Sequence, residues 1–267
     1  MLDNNFNIMG VLNVTPDSFF DGGKYTNVEP AVQQALQMES VGAKIIDIGG
    51  ESTRPGAQEV TLDQELNRVL PIIEAIRKQS DVLISIDTSK AGVMKAAIEA
   101  GANIINDVRA LSEPGSMEAA ISLNVPICLM HMRGQPRTMQ GAPQYQDVVK
   151  EVLIFLVEKA EECTRQGVKK ENIWIDPGFG FGKTLDHNLS LLKHLDRFVD
   201  TGYPVLVGMS RKSMIDAMLD VPVNERLAGS LALATIACLK GAAIIRVHDV
   251  EETVHVAKVC HAFKIAK

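Results

Sequence analysis

Basic residues gather into no block in this chain, and the balance is acidic, with a formal charge of −6 and a pI near 5.6. The broad positive footprint of a nucleic-acid binder is missing, so any bound anion must meet cations placed for it locally. Cysteine is scarce and scattered. Cys128, Cys163, Cys238 and Cys260 form no CxxC pair, and their apolar surroundings predict reduced, buried thiols. No apolar stretch reaches the roughly 18 residues of a membrane span. The opening MLDNNFN lacks a signal peptide's basic region, so the expectation is a cytoplasmic protein with no membrane or nucleic-acid partner. His131, His187, His194, His255 and His261 show neither HExxH nor mixed Cys/His spacing, and are read as structural or exposed. There is no Gly-x-Ser-x-Gly elbow, and no cysteine carries a basic partner in a pattern that would mark a nucleophile, which argues against covalent catalysis.

Two further absences bear on the fold. No glycine fingerprint follows the first apolar run, which counts against an open, doubly wound dinucleotide-binding sheet. No linker, low-complexity tract or compositional shift marks a second domain, so residues 1–267 are expected to form one. What is present is an alternation. The apolar runs IMGVLN, KIIDIGG, VLISIDTS, NIINDV, PICLMH, IWIDPG, VLVGMS and IIRVHD are mostly separated by segments of helical period, such as VEPAVQQALQMESVGA and VVKEVLIFLVEKAEECTRQG. Runs apolar on both faces predict a parallel sheet covered by helices. Eight such units in 267 residues predict an α/β fold, the (β/α)8 TIM barrel, with its active site at the C-terminal ends of the strands.

Most runs end in polar residues, and these are the candidates: Asn13, Asp47, Asp87, Asn106 with Asp107, His131, Asp176, Ser210 with Arg211 and Lys212, and Arg246 with His248. A single Asp there often caps the next helix. Asp87, Asn106 and Asp176 converging from three strands instead suggest a cluster of acceptors for a flat heterocycle bearing amino and ring N–H groups. Arg211, Lys212, Arg246 and His248 follow the seventh and eighth strands, where barrels of this class often bind phosphate. Asn13 is a suitable oxygen donor for a hard cation such as magnesium. The glycine-rich DPGFGFGKT, residues 176–184, fails as a nucleotide loop: Pro177 and Lys183 stand where such loops need glycine.

GVLNVTPDSFFDGG, GGESTRPG, SIDTS, INDV, DPGFGFGK, GMSRKS and RVHDV, in this order, resemble the dihydropteroate synthases of the bacterial folate pathway, from about residue 8 to residue 262. The resemblance implies a transferase that joins p-aminobenzoate to 6-hydroxymethyl-7,8-dihydropterin diphosphate with Mg2+ and is the target of sulfonamide inhibitors. It further implies that Asp87, Asn106, Asp176 and Lys212 hold the pterin, with Met130 and Phe181 around it. By the same resemblance Asn13, Thr53, Arg246 and His248 handle the diphosphate, with Asn13 on the metal. Thr15, Pro16, Asp17, Phe19, Ser52, Arg54, Pro55, Arg211 and Ser213 would shape the p-aminobenzoate side, and the family's usual assembly is a homodimer. The family typically has serine where this chain has Phe20, which leaves the first loop's fit and the sulfonamide response open.

The expected chemistry is departure of the diphosphate followed by attack of the amine, with Asp87, Lys212, Arg246 and His248 as catalytic residues. Residues 14–23 look like a lid that excludes water and presents Phe19 to an aromatic ring. On this reading Arg246→Ala spares binding of the pterin without its diphosphate. Three rivals share parts of the pattern. A methyltransferase domain of the related pterin-binding barrels has no use for the Arg246 and His248 anion site. A non-catalytic pterin-binding paralogue would bind without releasing pyrophosphate. A Schiff-base aldolase needs a lysine inside a strand, and no run carries one.

Overall fold

The computed structural model describes residues 6–14, 28–52, 60–134 and 143–266. The strands are β1 (Asn7–Asn13), β2 (Ile45–Gly49), β3 (Leu83–Asp87), β4 (Ile104–Asp107), β5 (Ile127–Met130), β6 (Ile173–Asp176), β7 (Leu206–Val207) and β8 (Ile244–Val247). They lie parallel in the order β6-β5-β4-β3-β2-β1-β8-β7, and a bridge from Ile175 to Val205 brings the two edges together as a barrel. Around it run α1 (Val28–Ser40), α2 (Leu62–Arg77), α3 (Ala91–Glu99), α4 (Ser116–Leu123), α5 (Val148–Gln166), α6 (Leu185–Lys193), α7 (Asp196–Val199), α8 (Ser213–Leu219), α9 (Leu227–Leu239) and α10 (Val250–Ile265). This is the (β/α)8 architecture that the alternation predicts.

Local chemistry explains where the elements start and stop. Thr61 and Gln64 form a reciprocal capping box at the head of α2, and buried Glu65, Val69, Ile72, Ile73 and Ile76 follow at helical spacing. Gly167, left-handed at φ 113°, ends α5 where a Cβ would be strained. Below the strands, the Arg77 guanidinium bonds the carbonyls of Gly101, Ser80 and Val82 and the Asn103 Oδ1 at 2.8–3.1 Å, tying two connections together.

Both faces of the strands carry buried apolar residues, as expected, but they bury them in different places. Outward residues such as Leu12, Ile46, Ile48, Ile84, Ile86, Ile105, Leu129, Ile175 and Ile245 join the buried core beneath the helices. Inward residues form a separate plug of Met9, Ile45, Ile104, Cys128, Trp174, Leu206 and Ile244 across the lower barrel. Two residues further along, on the same face of the pleat, polar groups replace the plug: Asp47, Asn106, Asp176 and Arg246. Water is thus sealed out below and the polar groups open only upward. All four cysteines are free and buried, as predicted.

Candidate active site

The polar layer is built around Arg246. Its Nε donates to Asp47 Oδ2 at 2.6 Å, and another guanidinium nitrogen donates to Asp87 Oδ2 at 2.9 Å. The Asn106 side-chain N–H reaches the same Asp47 oxygen at 3.2 Å. Asp47 is fully buried, and its Oδ1, like the hydroxyl of its register partner Ser85, makes no hydrogen bond with the described residues. Gly49 keeps the space between strands open: a Cβ there would lie 3.6 Å from the Asp87 Cβ and 3.7 Å from Asn13 Oδ1.

Burial sets the electrostatics. It pushes the Asp87 carboxyl up to about 7, reinforced by the Asp47 charge and opposed by Arg246. Burial works against the charge of Arg246 too, but Asp47 and Asp87 outweigh it and hold the guanidinium above its ordinary value. Asp176 is raised by burial, opposed by the Lys212 charge and by a 2.7 Å bond from the Gly178 N–H. Burial lowers Lys212 to about 8; its ammonium donates to the Phe179 carbonyl at 2.6 Å and stands 4.6 Å from the centre of the Phe181 ring.

His248 sits exposed at the rim. Partial desolvation, then the Arg246 charge, lower its imidazole to about 4, so it is neutral near pH 7. The Ser210 hydroxyl accepts from the His248 backbone N–H at 3.1 Å and faces its Nδ1 at 3.1 Å. A serine hydroxyl can accept and donate at once, and in the tautomer where it donates to Nδ1 the imidazole presents Nε2–H as its donor.

Asp87, Asn106, Asp176, Lys212 and Arg246 therefore meet in one bowl, with Met130 buried at the end of β5 and Phe181 under Lys212. The basic cluster is not a set of free cations. Arg246 is held between two carboxylates, and Arg211, in a left-handed backbone at φ 57°, forks onto Asp249. Arg246, which the sequence reading sets apart from the acidic residues, is bonded to two of them. Ser213 begins α8 directly after Lys212. Ser52 lies where the described chain breaks off. Thr15, Pro16, Asp17, Phe19, Phe20, Thr53, Arg54 and Pro55 lie outside the described residues.

Two buried groups gain a role here: Asp47, which the sequence reading names only as one of the polar strand residues, and Lys183, which it names only as a departure from a nucleotide loop. Asp47 stands inside IIDIG, and its signal was an acid at an inward position of a strand. Lys183 lies 3 % exposed beneath the glycine-rich segment and bonds only protein acceptors.

A chain of this geometry has many relatives. A family model described as "Pterin binding enzyme" matches residues 9–248. The dihydropteroate synthase of Escherichia coli K12 is 55% identical over 260 residues, covering 97% of this chain and 92% of that one. Among solved structures, the Yersinia pestis dihydropteroate synthase with a sulfonamide drug complex superposes with a TM-score of 0.94 at 51% identity, covering 98% of this chain and 95% of that one. The Xanthomonas albilineans dihydropteroate synthase in complex with 7,8-dihydropteroate gives 0.89 at 43%, covering 99% and 95%.

Proposed function

The chain belongs to the pterin binding enzyme family, among its dihydropteroate synthases, and from that premise we propose how the bowl and its rim divide the condensation of p-aminobenzoate with 6-hydroxymethyl-7,8-dihydropterin diphosphate. The observation that carries the reading is the shared guanidinium of Arg246, bonded to Asp47 and Asp87 at the level where Asn106 and Asp176 also face inward. Carboxylate and amide oxygens there match the amino and N–H edge of a pterin, and Lys212 matches an acceptor on the same ring. Met130 and Phe181 supply apolar contact.

The exocyclic C–O bond breaks first, its electron pair leaving with the diphosphate. The resulting methylene cation spreads into the ring, where the buried negative charge of the Asp47, Asp87 and Asp176 group favours it. The Nε2–H of His248 and the outer edge of Arg246 stabilise the leaving oxygens. The aniline nitrogen then forms the C–N bond with its lone pair and sheds one proton to the pyrophosphate or to solvent. Because the attack needs no deprotonated amine, no general base is required ahead of it.

The donors suit a sparsely held hard cation. Among the described residues no group of three His, Cys, Asp or Glu is arranged to hold a metal ion, while the Asn13 Oδ1 lies beside Gly49 on the Asp87 side of the mouth. Magnesium takes few protein oxygens and completes its shell from phosphate and water. Asn13 would hold it, and when bound it would supply charge neutralisation to the departing diphosphate, for which the resemblance also names Thr53.

Ser52, Arg211 and Ser213, with Thr15, Pro16, Asp17, Phe19, Arg54 and Pro55, form the p-aminobenzoate side, which sulfonamides occupy by mimicry. The enzyme is cytoplasmic; no helix among the described residues is long and apolar enough to cross a membrane. It works as a homodimer through α9 and α10, whose Ile236, Leu239, Val259, Phe263 and Ile265 are exposed side by side, Phe263 at 71 %. Purified protein given pterin diphosphate, p-aminobenzoate and magnesium should yield pyrophosphate and dihydropteroate in equal amounts. Pyrophosphate without coupled product, or neither, would reject the scheme.

A further inference from the structure

We propose that Lys183 is a positioning residue for the pterin half of the site: its buried ammonium is the centre around which residues 178–182 wind, and it thereby sets where Lys212 and Phe181 stand. The inference rests on the pterin assignment made above.

Glycine alternates at 178, 180 and 182, all with positive φ, of 70°, 83° and 63°. The segment lies flat on the chain leaving β5: a Cβ at Gly178 would come within 1.9 Å of the His131 carbonyl oxygen, and one at Gly182 within 2.2 Å of that of Arg133. Only this tight winding turns the Gly178 and Phe181 carbonyls inward, to 2.9 and 3.0 Å from the Lys183 Nζ. The third close partner is His131 Nδ1 at 3.0 Å, with the His131 carbonyl at 3.3 Å.

Three ammonium hydrogens meet three close acceptors, and the match requires both that Lys183 be charged and that Nδ1 carry a lone pair. The second condition is met, since burial and then the Lys183 charge hold the His131 imidazole at about 3; burial lowers Lys183 itself to about 7, opposed by the Asp176 charge, so the first condition is met below that pH and fades above it. Carbonyl dipoles and an imidazole, with no carboxylate among the bonded partners, solvate this cation. An apolar side chain of similar length would fill the space at less electrostatic cost, so the ammonium's use lies in the shape it imposes.

The opposite side of the same segment is the cradle of Lys212. The Phe179 carbonyl accepts from the Lys212 ammonium, the Phe181 ring lies beneath it, and a Cβ at Gly180 would sit 3.2 Å from the Lys212 Cδ. Asn188 braces the segment from outside, accepting from the Gly180 N–H at 2.8 Å and donating to the Thr184 carbonyl at 2.7 Å. Two lysines thus grip one loop from opposite sides, one for shape and one for ligand.

The test is a double-mutant cycle on the affinity for 6-hydroxymethyl-7,8-dihydropterin without diphosphate. Lys183→Met should weaken binding about tenfold, while the KM for p-aminobenzoate changes less than about twofold. Added to Lys212→Ala it should cost almost nothing more, because the route runs through Lys212. Full additivity, or equal loss at both substrates, overturns the proposal. Should Lys183→Met not fold, Asn188→Ala serves: it loosens the same segment, and additivity with Lys212→Ala there overturns the proposal equally. An unchanged pterin affinity in Lys212→Ala alone overturns the pterin assignment and this route with it, whereas a normal Lys212→Ala effect with additivity removes only the part given to Lys183.

Discussion

Replacing Arg246 by alanine leaves Asp47 and Asp87 facing one another with no guanidinium between them. Both are largely desolvated, with side chains 0% and 13% exposed, and each loses a charge-assisted hydrogen bond. Removing one partner of a buried ion pair typically costs 3–5 kcal/mol, so a loss of about 3–5 kcal/mol is expected above neutral pH. For a chain of 267 residues that is a fall in Tm of roughly 6–10 °C. The pH dependence follows from the direction of the shift. Asp87 already has its folded pKa raised to about 7, so the stability linked to its protonated form is complete below the unfolded value near 3.8 and is lost as pH rises through 7. Without Arg246, which opposes the rise, the Asp87 carboxyl moves up further, and the deficit relative to the parent should be small at pH 5 and largest at pH 8. Adding Asp47→Asn should restore much of the stability but not the turnover, and pterin affinity should fall even without the diphosphate. Urea unfolding of the parent, the single and the double variant at both pH values makes the check. A deficit equal at pH 5 and pH 8, or one untouched by Asp47→Asn, would refute the reasoning.

Further expectations concern other parts of the barrel. Arg77→Ala strands several carbonyls at the lower rim and should cost about 2–4 kcal/mol, with little change in kcat, by urea unfolding and steady-state assay. The Lys212 ammonium, lowered to about 8, should give kcat/KM for the pterin substrate an alkaline limb near that value, and Lys212→Arg should move the limb upward even if the rate is lower. An imidazole already neutral, at about 4, should leave no inflection near pH 6.5; one that vanished in His248→Gln would count against the neutral ring. Phe263→Glu should yield a monomer in sedimentation if α9 and α10 form the dimer face, and an unchanged mass would place the contact elsewhere.

The barrel was legible because its outward residues repeat. Ile46, Ile48, Ile84, Ile86, Ile105 and Ile175 give runs whose pattern survives without knowledge of what they touch. The polar closing residues were legible for the same reason, since Asp87 and Asp176 each end such a run. Asp47 was harder: it lies two residues before the end of β2, and a polar residue flanked by isoleucines gains meaning only when the inward face is separated from the outward one. The pairing of Arg246 with Asp47, 199 residues away in sequence, was out of reach, because isolated cations at strand ends look available until the closed ring supplies their counter-charges. In β7 the run VLVGMS suggests a longer strand than the two ladder residues found. Past Val207 the chain turns instead, with Lys212 N–H on the Met209 carbonyl and Arg211 left-handed. That early turn brings Lys212 back over the bowl.

The plug of Met9, Ile45, Ile104, Cys128, Trp174, Leu206 and Ile244 makes the barrel a cul-de-sac. Traffic through a single doorway has an order: whatever rests deepest must arrive first and depart last. A heterocycle seated beside Asp47 would block nothing above it, while an aniline already at the entrance would bar the heterocycle's way. On the proposed seating, the joined product would back out only after the inorganic fragment had cleared the threshold.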